Sequence, residues 1–278
     1  YKVQATVDAL IEQLILLKAD RSTMLVGVGG GVVTDLVGYT ATIYMRGIRF
    51  GFVPTTLLAM VDAAIGGKNG IDVGVYKNLA GTIRQPAFLL YDVSLLSTLP
   101  KGEWQNGFAE VIKHAAILDA ALFSTLEKRS LFFYQNDRSA LAALIARNAR
   151  LKYKVVQSDE QETGNRKWLN FGHTMGHALE NQYQLSHGQA ISLGMMTAAF
   201  LSSHYLDFAA SARLEDLLAR YGLPTRARYN LKKALSVLKM DKKRQSNRIQ
   251  YVLLQKIGKA TVYSLRLDQL EKQLGKQL

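Results

Sequence analysis

Apolar residues recur with a helical period from the start of the chain. Ala5, Val7, Leu10, Ile11, Leu14 and Leu16 mark one face of a helix over residues 5–17. Met24 to Val28 is a short apolar run closed by glycines, the pattern of a buried strand. The stretch Gly27-Val-Gly-Gly-Gly-Val-Val-Thr-Asp35 then reads as a glycine-rich turn opening a helix. Phe50 to Val53 and Phe88 to Tyr91 read as further strands, so the first hundred residues predict α/β organisation. After Pro100 the pattern changes. From Glu103 to about Tyr221 it is almost all helical, with amphipathic stripes over 140–157 and 189–207. Ile249 to Leu254 and Ala260 to Leu265 flank Lys256-Ile-Gly-Lys259, a hairpin signal. The expected architecture is α/β plus α: an α/β domain over 1–99, then a mostly helical domain over 100–278 with a C-terminal β-hairpin.

Composition narrows the function. Hydrophobic residues make up 48% of 278, enough to bury a sizeable core and to exclude a disordered chain. The absence of cysteine excludes a disulfide scaffold, thiolate metal ligands and a cysteine nucleophile, and fits a reducing cytoplasm. Tyr1 leads directly into a helix-like stretch, so a preceding segment is expected. The longest apolar run, Ile191 to Leu201, is interrupted by Ser192 and Thr197 and is too short to span a bilayer, so no membrane role is expected. The net charge is +13, but the basic residues are dispersed apart from Lys239 to Arg244, and no nucleic-acid reader motif is present. A basic pocket for an anionic metabolite accounts for part of that charge, and nucleic acid is not an expected partner.

Four groups of residues carry candidate chemistry. Gly29, Gly30 and Gly31 let backbone amides approach a phosphate, and a helix starting there adds its N-terminal N–H groups. A tight structural turn is the alternative, and the spacing is not the dinucleotide GxGxxG pattern. Val53-Pro-Thr-Thr56, Asp62 to Lys68 and Tyr76-Lys77-Asn78 place hydroxyls, an aspartate and two lysines on glycine-rich chain expected to be irregular. In Gly107-Phe-Ala-Glu110-Val-Ile-Lys113-His114, Glu110 and Lys113 share a helix face among apolar neighbours, which disfavours a simple surface ion pair. The strongest group is Asn170-Phe-Gly-His173-Thr-Met-Gly-His177 with His187-Gly188, three of the five histidines within fifteen residues. A histidine pair plus a carboxylate is a common zinc donor set. Spacing alone pairs His173 with His177, although Thr174 takes the place where HExxH proteases carry glutamate. Lys152, Arg166 and the Asp241-Lys242-Lys243-Arg244 run add charge, with Arg166 four residues before Asn170.

Taken together these motifs resemble the 3-dehydroquinate synthase family. The likeness runs from about Met24 to Arg244 and also includes Tyr44-Met-Arg-Gly47, Lys77-Asn78 and Ala109-Glu-Val-Ile-Lys113. It implies a nucleotide-binding α/β domain, its first strands missing before Tyr1, followed by a helical metal-binding domain. It implies NAD and zinc or cobalt as cofactors, a sugar phosphate substrate and a cytoplasmic homodimer. Carried over, the metal ligands are Glu110, His173 and His187, and His177 handles substrate or a proton. NAD would meet Gly30, Gly31, Val32, Val33, Thr34, Asp35, Thr55, Thr56, Lys68, Lys77, Asn78, Leu95 and Thr98. The substrate would meet Arg46, Asp62, Lys68, Lys113, Lys152, Arg166, Asn170, His177 and either Lys242 or Lys243. The implied chemistry is transient oxidation by NAD, elimination of phosphate, re-reduction and an intramolecular aldol closure. Rival readings are another sugar phosphate cyclase, a polyol dehydrogenase of the same fold, and a basic nucleic-acid-binding module. Lys152, Arg166 and Asn170 suit a carboxylate-bearing substrate, which favours the first reading over a valiolone or inosose synthase.

Overall fold

The computed structural model describes residues 2–74, 76–240 and 247–275. In chain order the elements are α1 (Gln4–Leu16), β1 (Met24–Gly29), α2 (Gly31–Ile43), β2 (Arg49–Pro54), β3 (Lys68–Val73), β4 (Tyr76–Ile83), α3 (Lys101–Leu118), α4 (Ala120–Glu127), α5 (Leu131–Asn136) and α6 (Arg138–Ser158). They continue with α7 (His173–Tyr183), α8 (His187–Leu206), α9 (Ser211–Arg220), α10 (Leu231–Met240), β5 (Arg248–Lys256), β6 (Lys259–Arg266) and α11 (Leu267–Leu274). The chain divides into two compact units. Unit 1 is Tyr1–Gly107 with Asp137–Gln161; unit 2 is Phe108–Asn136 with Glu162–Leu278. Helix α6, which the hydropathy pattern grouped with the helical half, therefore packs in unit 1. Among the described residues no helix is long and apolar enough to cross a membrane.

In unit 1, β1 and β2 pair in parallel, joined through α2. Their inward side chains Phe50 and Phe52 pack with Leu14, Ala41, Tyr44 and Ile48 into one cluster. Val7, Leu36 and Ile71 form a second. Phe88 to Tyr91 forms less of a strand than its apolar run suggests. A single parallel bridge joins Phe52 to Leu89, extended by bonds from Ala87 N to Phe50 O and from Leu90 N to Phe52 O. The stretch from Lys68 to Ile83 departs from expectation in the other direction. It is an antiparallel hairpin, β3 on β4, with Gly70 opposite Gly81. Glycine and asparagine are poor strand formers, so its sequence carries no period-two signal. The hairpin is held by tertiary packing instead: Asn69 is buried, its amide nitrogen 2.8 Å from Gly67 O and 3.1 Å from Arg84 O.

In unit 2, α8 is buried on all sides rather than along one stripe, with Ala190, Ile191, Leu193, Met195, Ala198 and Leu201 among its buried residues. It packs against α7, α9 and β5. Phe108 stacks on Tyr221 with ring centroids 4.6 Å apart, and Ser202 Oγ accepts from Leu254 N at 2.9 Å, tying α8 to β5. The hairpin β5–β6 turns at Gly258, where φ is +82°. Helices α7 and α8 approach so closely that a Cβ on Gly194 would lie 1.8 Å from the Gly172 carbonyl oxygen. Backbone cannot give way there as a side chain can. Gly194→Ala should cost about 3 kcal/mol, read as a fall of about 10 °C in thermal midpoint. Gly102→Ala, with nothing within 4 Å of its Cβ position, should be neutral or slightly stabilising in the same melts.

Candidate metal centre and phosphate-binding turn

The site in unit 2 starts from three helices. Helix α3 carries Glu110 and Lys113 one turn apart, both wholly buried. Helix α7 begins at His173, straight after Gly172 in the left-handed conformation at φ +80°. Helix α8 begins at His187, fixed by a capping box in which Ser186 and Gln189 exchange bonds. These starts direct the imidazoles at one carboxylate. His187 Nε2 lies 2.8 Å and His173 Nε2 3.6 Å from Glu110 Oε1. The Lys113 ammonium pairs with Glu110 Oε2.

His173 Nδ1 lies 3.2 Å from the Phe171 carbonyl, which can only accept. The Nδ1–H tautomer therefore donates to it and leaves the Nε2 lone pair turned toward Glu110. Burial, reinforced by the Lys113 charge, holds the His173 pKa well below the usual histidine value, so the ring is neutral. One ligand atom from each of Glu110, His173 and His187 lies within 4.8 Å of the others. Tetrahedral ligands at about 2.1 Å from zinc stand about 3.4 Å apart, and the two separations to Glu110 fall either side of that. Two imidazole nitrogens and one carboxylate oxygen suit zinc or cobalt.

Two family descriptions match consecutive parts of the chain. The family description "3-dehydroquinate synthase N-terminal" matches residues 1–106, and "3-dehydroquinate synthase C-terminal" matches residues 107–244. The chain belongs to the 3-dehydroquinate synthase family. It is 43% identical over 260 residues to the 3-dehydroquinate synthase of Methylacidiphilum infernorum, covering 91% of this chain and 71% of the relative. It also superposes on 2-epi-5-epi-valiolone synthase of Streptomyces hygroscopicus, solved with NAD+ and Zn2+ bound. The TM-score is 0.90 and the identity 27%, over 99% of this chain and 79% of that one. A 2-deoxy-scyllo-inosose synthase complexed with carbaglucose-6-phosphate, NAD+ and Co2+ gives a TM-score of 0.86 and 28% identity, over 98% and 79%.

Other candidate residues of this family member in unit 2 lie close along the chain. Arg166, buried, and Asn170 sit on the 3-10 segment Asn165–Asn170 that leads into α7. The exposed His177 is one turn beyond His173, their ring centroids 5.2 Å apart. Lys242 and Lys243 lie outside the described residues.

In unit 1 the structure groups the turn residues at the carboxyl ends of β1 and β2. Gly30 caps α2 with no side-chain bond, and the first turn of α2 carries no acidic residue. Thr55 N donates to Gly29 O at 2.9 Å, which joins the two strand ends. A Cβ on Gly30 would meet Thr56 at 3.0 Å and one on Gly31 would meet Ala63 at 3.1 Å, so the glycines keep this turn open. Val32 and Val33 are exposed beside it, while Thr34 is buried. An uncapped helix start with bare backbone N–H groups fits a pyrophosphate.

Asp62 lies on the π-helical turn Ala59–Ala63. Lys152 reaches it from α6, with Nζ 2.9 Å from Oδ1 and 2.6 Å from the Asp62 carbonyl. Asp35 meets Lys2 Nζ at 2.8 Å, and Lys2 also reaches Asn78 Oδ1 at 2.5 Å. Burial raises the Asp35 pKa, opposed by Lys2. Lys2 was invisible as a partner in sequence, because no motif surrounds it. Arg46, Lys68, Lys77, Leu95 and Thr98 are exposed. Arg46 follows Met45 in left-handed backbone, at φ +66° and +49°, an uncommon pair outside glycine. Lys152→Met should destabilise the protein by about 2 kcal/mol, because it strips a largely buried carboxylate and carbonyl of their cation. Urea unfolding of the variant at neutral pH measures that loss.

Proposed function

We propose that this chain is a carbon–oxygen lyase that converts 3-deoxy-D-arabino-heptulosonate 7-phosphate to 3-dehydroquinate and inorganic phosphate in the shikimate pathway. The observation that carries the reading is the convergence of Glu110, His173 and His187 from three helices in a chain of this family. Those three residues would hold a zinc or cobalt ion, which when bound supplies a Lewis acid that lowers the pKa of a substrate hydroxyl. The turn Gly30 to Asp35, Thr55, Thr56, Lys68, Lys77, Asn78, Leu95 and Thr98 would hold NAD, which supplies a reversible hydride acceptor. We assign NAD binding to residues 1–99 and metal binding to 100–278, with substrate met by residues of both stretches.

The chain's own residues have distinct tasks in this reading. Lys113 balances the Glu110 charge and would contact a substrate oxygen. Arg166, Arg46, Lys68, Lys152 and either Lys242 or Lys243 bind the phosphate and carboxylate, with the Arg166 guanidinium suited to a two-point contact. Asp62 orients Lys152. His177, exposed one turn from His173, exchanges a proton at its imidazole with a substrate hydroxyl or its phosphate. The protein acts as a cytoplasmic homodimer.

The valiolone and inosose synthases are the second reading, since they share the fold at 27–28% identity. The 43% identity to a 3-dehydroquinate synthase favours the first.

Purified, metal-replete protein given NAD and the heptulosonate phosphate should release inorganic phosphate with no net rise in NADH absorbance. Turnover of sedoheptulose 7-phosphate or glucose 6-phosphate in its place, or accumulating NADH, would overturn the assignment. The ligand set has its own test. After dialysis His187→Ala should lose its metal, whereas His177→Ala should retain it and lose about 100-fold or more in rate. Equal metal content in the two variants would refute the ligand choice.

A further inference from the structure

Glu162 belongs to none of the residue sets assigned above, yet the structure commits it to one of them. Its Oε1 accepts from Asn170 Nδ2 at 2.5 Å, across a separation of eight residues. Both side chains are partly buried. Glu162 also has left-handed backbone at φ +58°, an uncommon conformation for a residue with a Cβ. Strain of this kind costs about 1–3 kcal/mol and persists only where the surroundings enforce it.

The contact settles a question of orientation. An amide side chain has one donating and one accepting end, and its partners decide which way it faces. A carboxylate accepts, so Asn170 must turn Nδ2 to Glu162. Its Oδ1 then faces away and has no protein donor among the described residues. We infer that Glu162 is a positioning residue that locks the Asn170 amide so that its oxygen is presented to substrate. Asn170 Oδ1 then accepts from a substrate hydroxyl, with one Nδ2 hydrogen committed to Glu162. This inference rests on the proposed function for the substrate's identity, and not for the Glu162–Asn170 contact.

A charge-swapped pair tests it. Asn170→Asp sets two carboxylates against each other and should lower kcat/KM about 100-fold or more. Glu162→Gln keeps an acceptor for Nδ2 and should cost no more than about 10-fold. In the double variant E162Q/N170D the donor and acceptor exchange places, and an oxygen again faces substrate. Activity should recover at least 10-fold over Asn170→Asp, with metal content and thermal midpoint unchanged. If the two substitutions combine without recovery while the wild type releases phosphate, the positioning role is wrong and the proposed function stands.

A second readout needs no turnover. The Asn170 side-chain amide resonance, identified by its loss in Asn170→Asp, should shift and exchange faster in Glu162→Ala. An unaltered resonance would overturn the inference even if the wild type proved inactive on the proposed substrate.

Discussion

Removing the Glu110 carboxylate from solvent carries a desolvation penalty of several kcal/mol, and the surrounding residues are arranged to offset it. Lys113 from the same helix supplies a cation to one oxygen, and His187 and His173 crowd the other. Lys113 is a local partner, three residues along α3, but the two histidines are not. They require α3, α7 and α8 to meet at fixed angles. Gly172 and Gly194 let α7 and α8 close to backbone contact, and the capping box fixes where α8 starts. Helix packing and the grouping of Glu110, His173 and His187 are therefore one constraint in unit 2.

Unit 1 solves a different electrostatic problem with the same economy of parts. Its turn after β1 leaves backbone N–H groups exposed and places no acidic side chain beside them. Bare helix-start donors favour an anion without a fixed counter-charge, which suits a ligand that must come and go. In the same unit Lys152 is anchored by Asp62 at both its carboxylate and its carbonyl. An anchored ammonium loses less conformational freedom when an anion binds than a mobile surface lysine does. Lys2 plays the matching role for Asp35, whose buried carboxyl would otherwise favour its neutral form.

What the sequence revealed follows from the range of each interaction. Helix α1 was legible from its apolar period, strands β1 and β2 from short apolar runs, and the hairpin β5–β6 from the turn signal between two such runs. Strands β3 and β4 were not, since a pairing of Gly70 with Gly81 leaves no side chain to alternate. The placement of α6 in unit 1 was also hidden, because an amphipathic stripe shows that a helix packs and says nothing of its partner. Motif density marked the region from Asn170 to Gly188. Glu162 escaped notice because a lone carboxylate eight residues upstream has no local signature. Its partner appears only once the 3-10 segment folds Asn170 back toward it.

The histidines show most clearly where spacing stops being informative. His173 and His177 stand one turn apart, with ring centroids 5.2 Å apart. His173 and His187 come from different helices, and their centroids are 5.8 Å apart. Ring proximity therefore does not choose between the pairs. The carboxylate does. Glu110 Oε1 lies within hydrogen-bonding reach of His187 Nε2, while the His177 ring is exposed. Two imidazoles four residues apart form a ligand pair when the third donor lies on their own face. Here the third donor comes from α3, and the histidine at the start of α8 is the one aimed at it. His177, one turn further along α7, stands outside that group.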